Sequence, residues 1–284
     1  MRAAEWAARE AVRRAAPLRI VSVPGLLPRM PAYQLSAPTV VNALRGVAAR
    51  ALADAVDRVN EVAAGVLIDT DLLEGPPAVA VTESGTGARL LVVGARGAGG
   101  FAALVLGSVS RHAATHARCP VVVVLEETGA VHREIVVGVR DPDDAAATLG
   151  FAFEEAALRG ATLTAVHALP SCPPDATSAA ARHLHAALDR WREKYPDVTV
   201  AAEVVHGHPG HVLASRSARA DLVIIGRHGV AGELSASTIQ HAVLGHAHGP
   251  VAIVPSALLA VHVLRLDGGL THAVSMIVTN KCLP

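Results

Sequence analysis

The chain spells out one pattern twice. Residues 5–23, EWAAREAVRRAAPLRIVSV, align with residues 150–168, GFAFEEAALRGATLTAVHA. Each segment is an amphipathic helix, an alanine or glycine turn, and a β-branched run. Residues 88–97, ARLLVVGARG, match residues 220–229, ADLVIIGRHG, and residues 110–125, SRHAATHARCPVVVVL, match residues 240–255, QHAVLGHAHGPVAIVP. The matches keep the same order in both halves, which makes the chain a tandem duplication. The seam lies in the polar stretch EETGAVHRE, residues 126–134. This predicts domains over 1–126 and 133–256 and an extra tail over 257–284, and 284 residues suffice for two such domains.

Each repeat alternates strand and helix. The second predicts strands at 134–139, 162–169, 198–205, 221–226 and 250–255, with helices at 143–159, 175–194, 209–218 and 235–247. Near-continuous apolar strands separated by helices imply an α/β fold, a parallel sheet covered on both faces. With 51% hydrophobic but only 2% aromatic residues, the core must be built from small aliphatic side chains. Equal counts of acidic and basic residues, 25 each, argue against a general nucleic-acid binder or an acidic-lipid binder. Cys119, Cys172 and Cys282 are scattered and form no CxxC, the usage of a reduced, cytoplasmic protein. The N-terminus MRAAEWAAREAVRRAA is charged throughout, unlike a signal peptide, and ALLAVHVLRL near the C-terminus is too short for a membrane span.

Sheets of this kind bind ligands beyond the carboxyl ends of their strands. At that place in the first repeat stands VVGARGAGGFAALVLGS, residues 92–108, which reads Gly94-x2-Gly97-x9-Gly107-Ser108. Gly94 and Gly97 permit positive φ and a close backbone approach. Arg96 supplies a cation, and Gly107-Ser108 opens a helix whose N–H groups and dipole favour a phosphate. Ser108 has two readings, a hydroxyl donated to a phosphate oxygen or a helix cap.

This spacing after a strand, in a five-stranded unit of this size, resembles the ATP-binding signature of the universal stress protein family, and the resemblance covers residues 1–256. It implies two Rossmann-like domains of strand order 3-2-1-4-5. It also implies that Gly94, Arg96, Gly97, Gly107, Ser108, Val109 and Ser110 line a triphosphate and ribose, with Val23 near the adenine. The implied ligand is ATP, with or without magnesium, and AMP stays open. The implied role is regulatory in a stress response, with at most weak hydrolysis, because no general base or metal-binding carboxylate is evident. The family commonly pairs its last strands, which here gives a homodimer or an intramolecular pseudo-dimer. A non-nucleotide scaffold of the same fold, its site lost, is the alternative.

The pattern departs from the family in three places. The family's first strand, central in its sheet, and the aspartate after it have no counterpart before the first helix. Trp6 aligns with Phe151, but only five residues precede it. Either the chain starts late or another segment fills the gap, since an empty centre would expose two inner strand edges. In the tail, SMIVTN (275–280) has a buried strand's composition and can pair into that slot, in its own chain or a neighbour's. In the second repeat Arg140 takes the aspartate's place, followed by Asp141, and Ser237-Thr238 replaces the Gly-Ser pair after a segment two residues shorter. Nucleotide binding is therefore expected to be weak or absent there, with Gly226 and Gly229 as relics.

Other signals carry less. The histidines of HGHPGH (206–211) lack zinc-type ligand spacing. GAGGFA (97–102) fits a dinucleotide fingerprint but follows the fourth strand instead of opening a domain, which disfavours an NAD-type oxidoreductase. His112 and His116 lie four apart on one helix, REAVRR (9–14) reads as the solvated face of the first helix, and Cys119 before Pro120 reads as a small core residue.

Overall fold

A computed structural model describes residues 2–24, 38–95, 106–125, 131–170, 174–227, 234–256 and 274–278. The chain divides into two compact units, residues 1–121 together with the C-terminal strand, and residues 122–262. Among the described residues no helix is long and apolar enough to cross a membrane.

The first unit runs α1 (Arg2–Arg13), β1 (Leu18–Ser22), α2 (Pro38–Val62), β2 (Ile68–Leu72), α3 (Pro77–Ser84), β3 (Leu90–Gly94) and α4 (Ser108–His116), and its residue Val121 opens β4 (Val121–Val124), whose other residues belong to the second unit. The second runs β5 (Glu134–Gly138), α5 (Ala146–Arg159), β6 (Thr162–Leu169), α6 (Pro174–Lys194), β7 (Val200–His206), α7 (Pro209–Arg216), β8 (Leu222–Arg227), α8 (Leu234–His246) and β9 (Val251–Pro255). These elements fall where the second repeat's periodicity places them.

In the second unit the parallel order is β9-β8-β5-β6-β7. Numbered within that repeat, this is the expected 3-2-1-4-5. Ile135, Val137, Leu163, Ala165, Leu222, Val223 and Ile224 are fully buried, so β-branched and leucine side chains fill both faces of the central strands. Gly160 ends α5 at φ 56°, the left-handed cap that glycine adopts without a Cβ penalty.

In the first unit β1 pairs on its outer side with β2, Leu18 facing Ile68. Strand β2 is the edge, and it carries Asp69 and Asp71, both ion-paired to Arg19; charges of this kind blunt an exposed edge. On its inner side β1 pairs in parallel with β10 (Val274–Val278), from Leu18↔Val274 to Ser22↔Val278. Strand β10 pairs in turn with β3, from Val274↔Leu90 to Met276↔Val92. Beyond β3, the Leu91 N–H donates to the Pro120 carbonyl at the entry to β4 (2.9 Å). Strand β10 thus stands between β1 and β3, in the slot where the tail was expected to pair. Its insertion supplies ladder partners to two strands whose Leu18, Ile20, Val21, Leu90, Leu91 and Val92 are all fully buried.

One sequence expectation needs correction. The stretch REAVRR is not wholly a solvated face: Val12 is 56% exposed, but Glu10 is 0% exposed. Glu10 accepts from Arg14 Nε at 2.6 Å and lies 3.5 Å from Arg13. Arg14 folds along the helix, only 6% of its side chain exposed, and the pair buries as a unit. Glu155 and Arg159 repeat the arrangement on α5, at the matching place in the second repeat.

Candidate functional site

The carboxyl ends of β1, β10 and β3 define the first candidate site. Strand β3 ends at Gly94. Residues 96–105, with Arg96 and Gly97, lie outside the described residues, and the chain is described again from Leu106. There the Gly107 N–H donates to the Ala95 carbonyl at 2.7 Å, which brings together the described residues on either side of 96–105. Gly107 is the N-cap of α4, at φ −70° and ψ 161°, with no side-chain cap. Such extended backbone suits any residue, so Gly107 is not needed for its φ. Gly94 likewise is not among the positive-φ glycines of the described residues, which are Gly65, Gly75, Gly87, Gly160 and Gly207.

The three serine and valine positions after Gly107 separate. Ser108 is exposed and does not cap the helix, Val109 is half-buried, and Ser110 is 3% exposed. The Ser110 hydroxyl donates to the Gly94 carbonyl at 2.5 Å, tying the first turn of α4 to the end of β3. The amides of Ser108, Val109 and Ser110 are first-turn donors that a helix does not satisfy internally. They carry the positive end of the helix dipole.

Val23, directly after β1, is 5% exposed. Beside it lies a residue that motif reading missed: Ser22 is fully buried, and its hydroxyl has no hydrogen-bond partner among the described residues. The only sequence signal is a polar side chain ending the apolar run RIVSV. A buried hydroxyl without a partner is costly, about 1–3 kcal/mol, and calls for a polar group opposite it. The equivalent residue of the second repeat, His167, is satisfied: its Nδ1 lies 2.7 Å from the Val139 carbonyl.

The second unit has a cavity of about 60 Å³ at the corresponding place, lined among others by Val139, Arg140, Ala168, Leu213, Gly226 and Ile239. Gly138 forms part of its wall, and Leu213 packs so closely there that a Cβ on Gly138 would lie 2.6 Å from Leu213 Cδ1. Arg140, at the position of the family's aspartate, is exposed. Asp141 Oδ1 accepts the Asp143 N–H at 3.0 Å, so its carboxylate serves its own turn. Helix α8 starts at Leu234, so Ser237-Thr238 lies inside the helix, whereas the matching Gly107-Ser108 stands at the start of α4. The two repeats therefore share strands but differ in where the helix presents its amides. Gly226 ends the apolar part of β8, and Gly229 lies outside the described residues.

Around α4 the two histidines meet. The His112 and His116 rings stack with centroids 4.3 Å apart, and His112 Nδ1 lies 3.0 Å from Thr82 Oγ1 on α3. Burial first, then the neighbouring His116, lowers the pKa of His112 below 6.5, against a smaller opposing hydrogen bond to the Ala78 backbone. The folded chain therefore takes up this proton at lower pH than the unfolded chain does. Its contribution to stability is complete above 6.5 and is lost as pH falls through the folded value. Replacing His112 by Gln is expected to flatten the decline in urea-unfolding stability between about pH 7 and 5. An unchanged slope would discard this coupling. The HGHPGH histidines gather elsewhere: His211 lies 5.5 Å from His208 and 6.0 Å from His246, ring to ring. Among the described residues no three His, Cys, Asp or Glu side chains form a group that could hold a metal ion.

The sequence profile of the universal stress protein family matches residues 1–124 and again residues 132–255. The chain belongs to that family. Two universal stress proteins of Mycobacterium tuberculosis (strain ATCC 25618 / H37Rv) are among its relatives. One is 32% identical over 257 residues, covering 89% of this chain and 90% of the relative. The other is 31% identical over 285 residues, covering 90% of this chain and 92% of the relative. The crystal structure of a universal stress protein from Archaeoglobus fulgidus DSM 4304 aligns with a TM-score of 0.67 at 16% identity, over 89% of this chain and 90% of that one. That likeness concerns the fold alone.

Proposed function

We propose that the first unit of this universal stress protein binds an adenine nucleotide, ATP with or without magnesium, where β1, β10 and β3 end, and that binding serves a regulatory role in a stress response. The reading rests chiefly on the uncapped start of α4, held close to the end of β3 by the Gly107–Ala95 hydrogen bond. The Ser108 and Val109 amides would receive phosphate oxygens, with the Arg96 guanidinium and the Gly97 backbone supplied by the loop. Val23 would face the base, and the unpartnered Ser22 hydroxyl answers a polar ligand atom. Ser110 takes a supporting role here, because its hydroxyl is committed to Gly94. Bound ATP supplies a polyanion and a flat purine. The chain's own contribution is to place donors around them.

A second reading, a scaffold that binds no nucleotide, draws on Arg140 standing at the aspartate position and on Asp141 being engaged in its own turn. Thermal unfolding separates the two. Nucleotide at about 100 times its dissociation constant stabilises the folded state by about 2.7 kcal/mol, a rise in Tm of roughly 5–10 °C for a domain of this size. The rise is expected in the unaltered chain and after Gly229→Leu, and is expected to vanish after Gly97→Leu. No rise at millimolar ATP favours the scaffold.

A further inference from the structure

The register of β10 says more than that a gap is filled. In the second unit Ile135 of β5 faces Leu163 on one side and Leu222 on the other. The repeat alignment equates Leu18 with Leu163 and Leu90 with Leu222. Val274 of β10 faces Leu18 on one side and Leu90 on the other. Two independent neighbours give the same answer, so β10 occupies the place of β5 residue for residue and in the same direction. The chain order differs. Strand β5 runs on into its own helix α5 within eight residues, whereas β10 is remote in sequence from β1, β3 and α1, the elements it packs on.

We propose that the groove between β1 and β3 is an acceptor site for an extended apolar segment, and that the chain's own residues 274–278 are its resident, exchangeable occupant. Two features support separability. The occupant is five residues long. Its pairing with β3 covers three residues, against five with β1. The site's chemistry does not require covalent linkage. Recognition is strand addition: main-chain hydrogen bonds on both edges, with a parallel, β-branched-rich segment as the fitting partner.

The test uses the full-length chain carrying Met276→Pro. Proline removes the ladder N–H and is excluded from a central strand, so the resident segment is ejected. Amide exchange in β1 and β3 is expected to accelerate by at least about 100-fold, roughly tenfold for each of two lost ladder bonds. Protection in β5 and β8 is expected to persist. A fluorescent peptide of residues 271–284, with Cys282→Ser, is expected to bind this variant saturably and restore protection to Ile20, Val21, Leu91 and Val92. The same peptide carrying proline at position 276 is expected not to bind. Unchanged exchange in β1 and β3 of the variant, or no peptide binding while β5 and β8 stay protected, overturns the proposal. If the variant does not fold, the unaltered chain decides. Incubated with excess peptide below its unfolding temperature, it should incorporate the label slowly with β5 and β8 still protected, and no incorporation overturns the proposal equally. None of these readouts depends on whether the protein binds nucleotide.

Discussion

Replacing Arg159 by methionine is expected to cost the second unit about 3–5 kcal/mol, because it removes a charged partner from a buried carboxylate. Glu155 is fully buried and Arg159 has 5% of its side chain exposed, so water cannot replace the lost partner. For a unit of this size the loss corresponds to a fall in Tm of roughly 10 °C. Replacing both residues, Glu155→Leu with Arg159→Met, is expected to recover most of it, because no charge then remains to be desolvated. In the matching pair on α1, Glu10 with Arg14, Arg13 lies 3.5 Å from the same carboxylate and is expected to keep part of the compensation after Arg14→Met. Urea unfolding of the single and double variants checks this. A double variant as unstable as the single one would mean that packing, not the buried charge, sets the cost.

The second large effect concerns α7 and α8. Gly210, in the first turn of α7, is buried, and a Cβ there would lie 2.5 Å from the Ala242 Cβ. That methyl is fixed to its backbone and cannot rotate away. Gly210→Ala must therefore push the two helices apart, at about 1–3 kcal/mol, and Gly210→Val by more. Adding Ala242→Gly should return much of the loss, less about 1 kcal/mol for a glycine inside a helix. Such a rescue is the coupling expected of residues in contact. Additive losses would show that the helices are not held by this approach. The contrast with Gly150 is useful: its Cβ would meet the tip of Trp191 at 2.5 Å, a ring that packs against Phe153 and Tyr195.

What the sequence made legible follows from how local the physics was. Strands such as VVVV at 121–124 and LVIIG at 222–226 are apolar throughout because both sheet faces are covered, and that property is visible without a structure. The duplication then doubled every such signal. SMIVTN reads as strand-like, and its neighbours follow only from the strand order that the resemblance implies; the register, 274 beside 18 and 90, is a contact across most of the chain that no local pattern encodes. Glu10 was misplaced because charge and helical periodicity point outward, while a partner four residues on lets the pair turn inward. Gly210 carried no signal at all, since its need comes from Ala242 on another helix. At the site, the glycine spacing located the residues on either side of 96–105, but Gly94 and Gly107 serve there through hydrogen bonds made by their backbones, not through positive φ. Ser22 emerged only once burial was known.

Amide hydrogen exchange with and without ATP tests most directly whether the nucleotide sits where the first repeat's helix begins. The account predicts added protection at Ser108, Val109 and Ser110, with smaller gains near Ser22 and Val23, and little change at the start of α8. Protection confined to the second unit, or none anywhere at millimolar ATP, would contradict it.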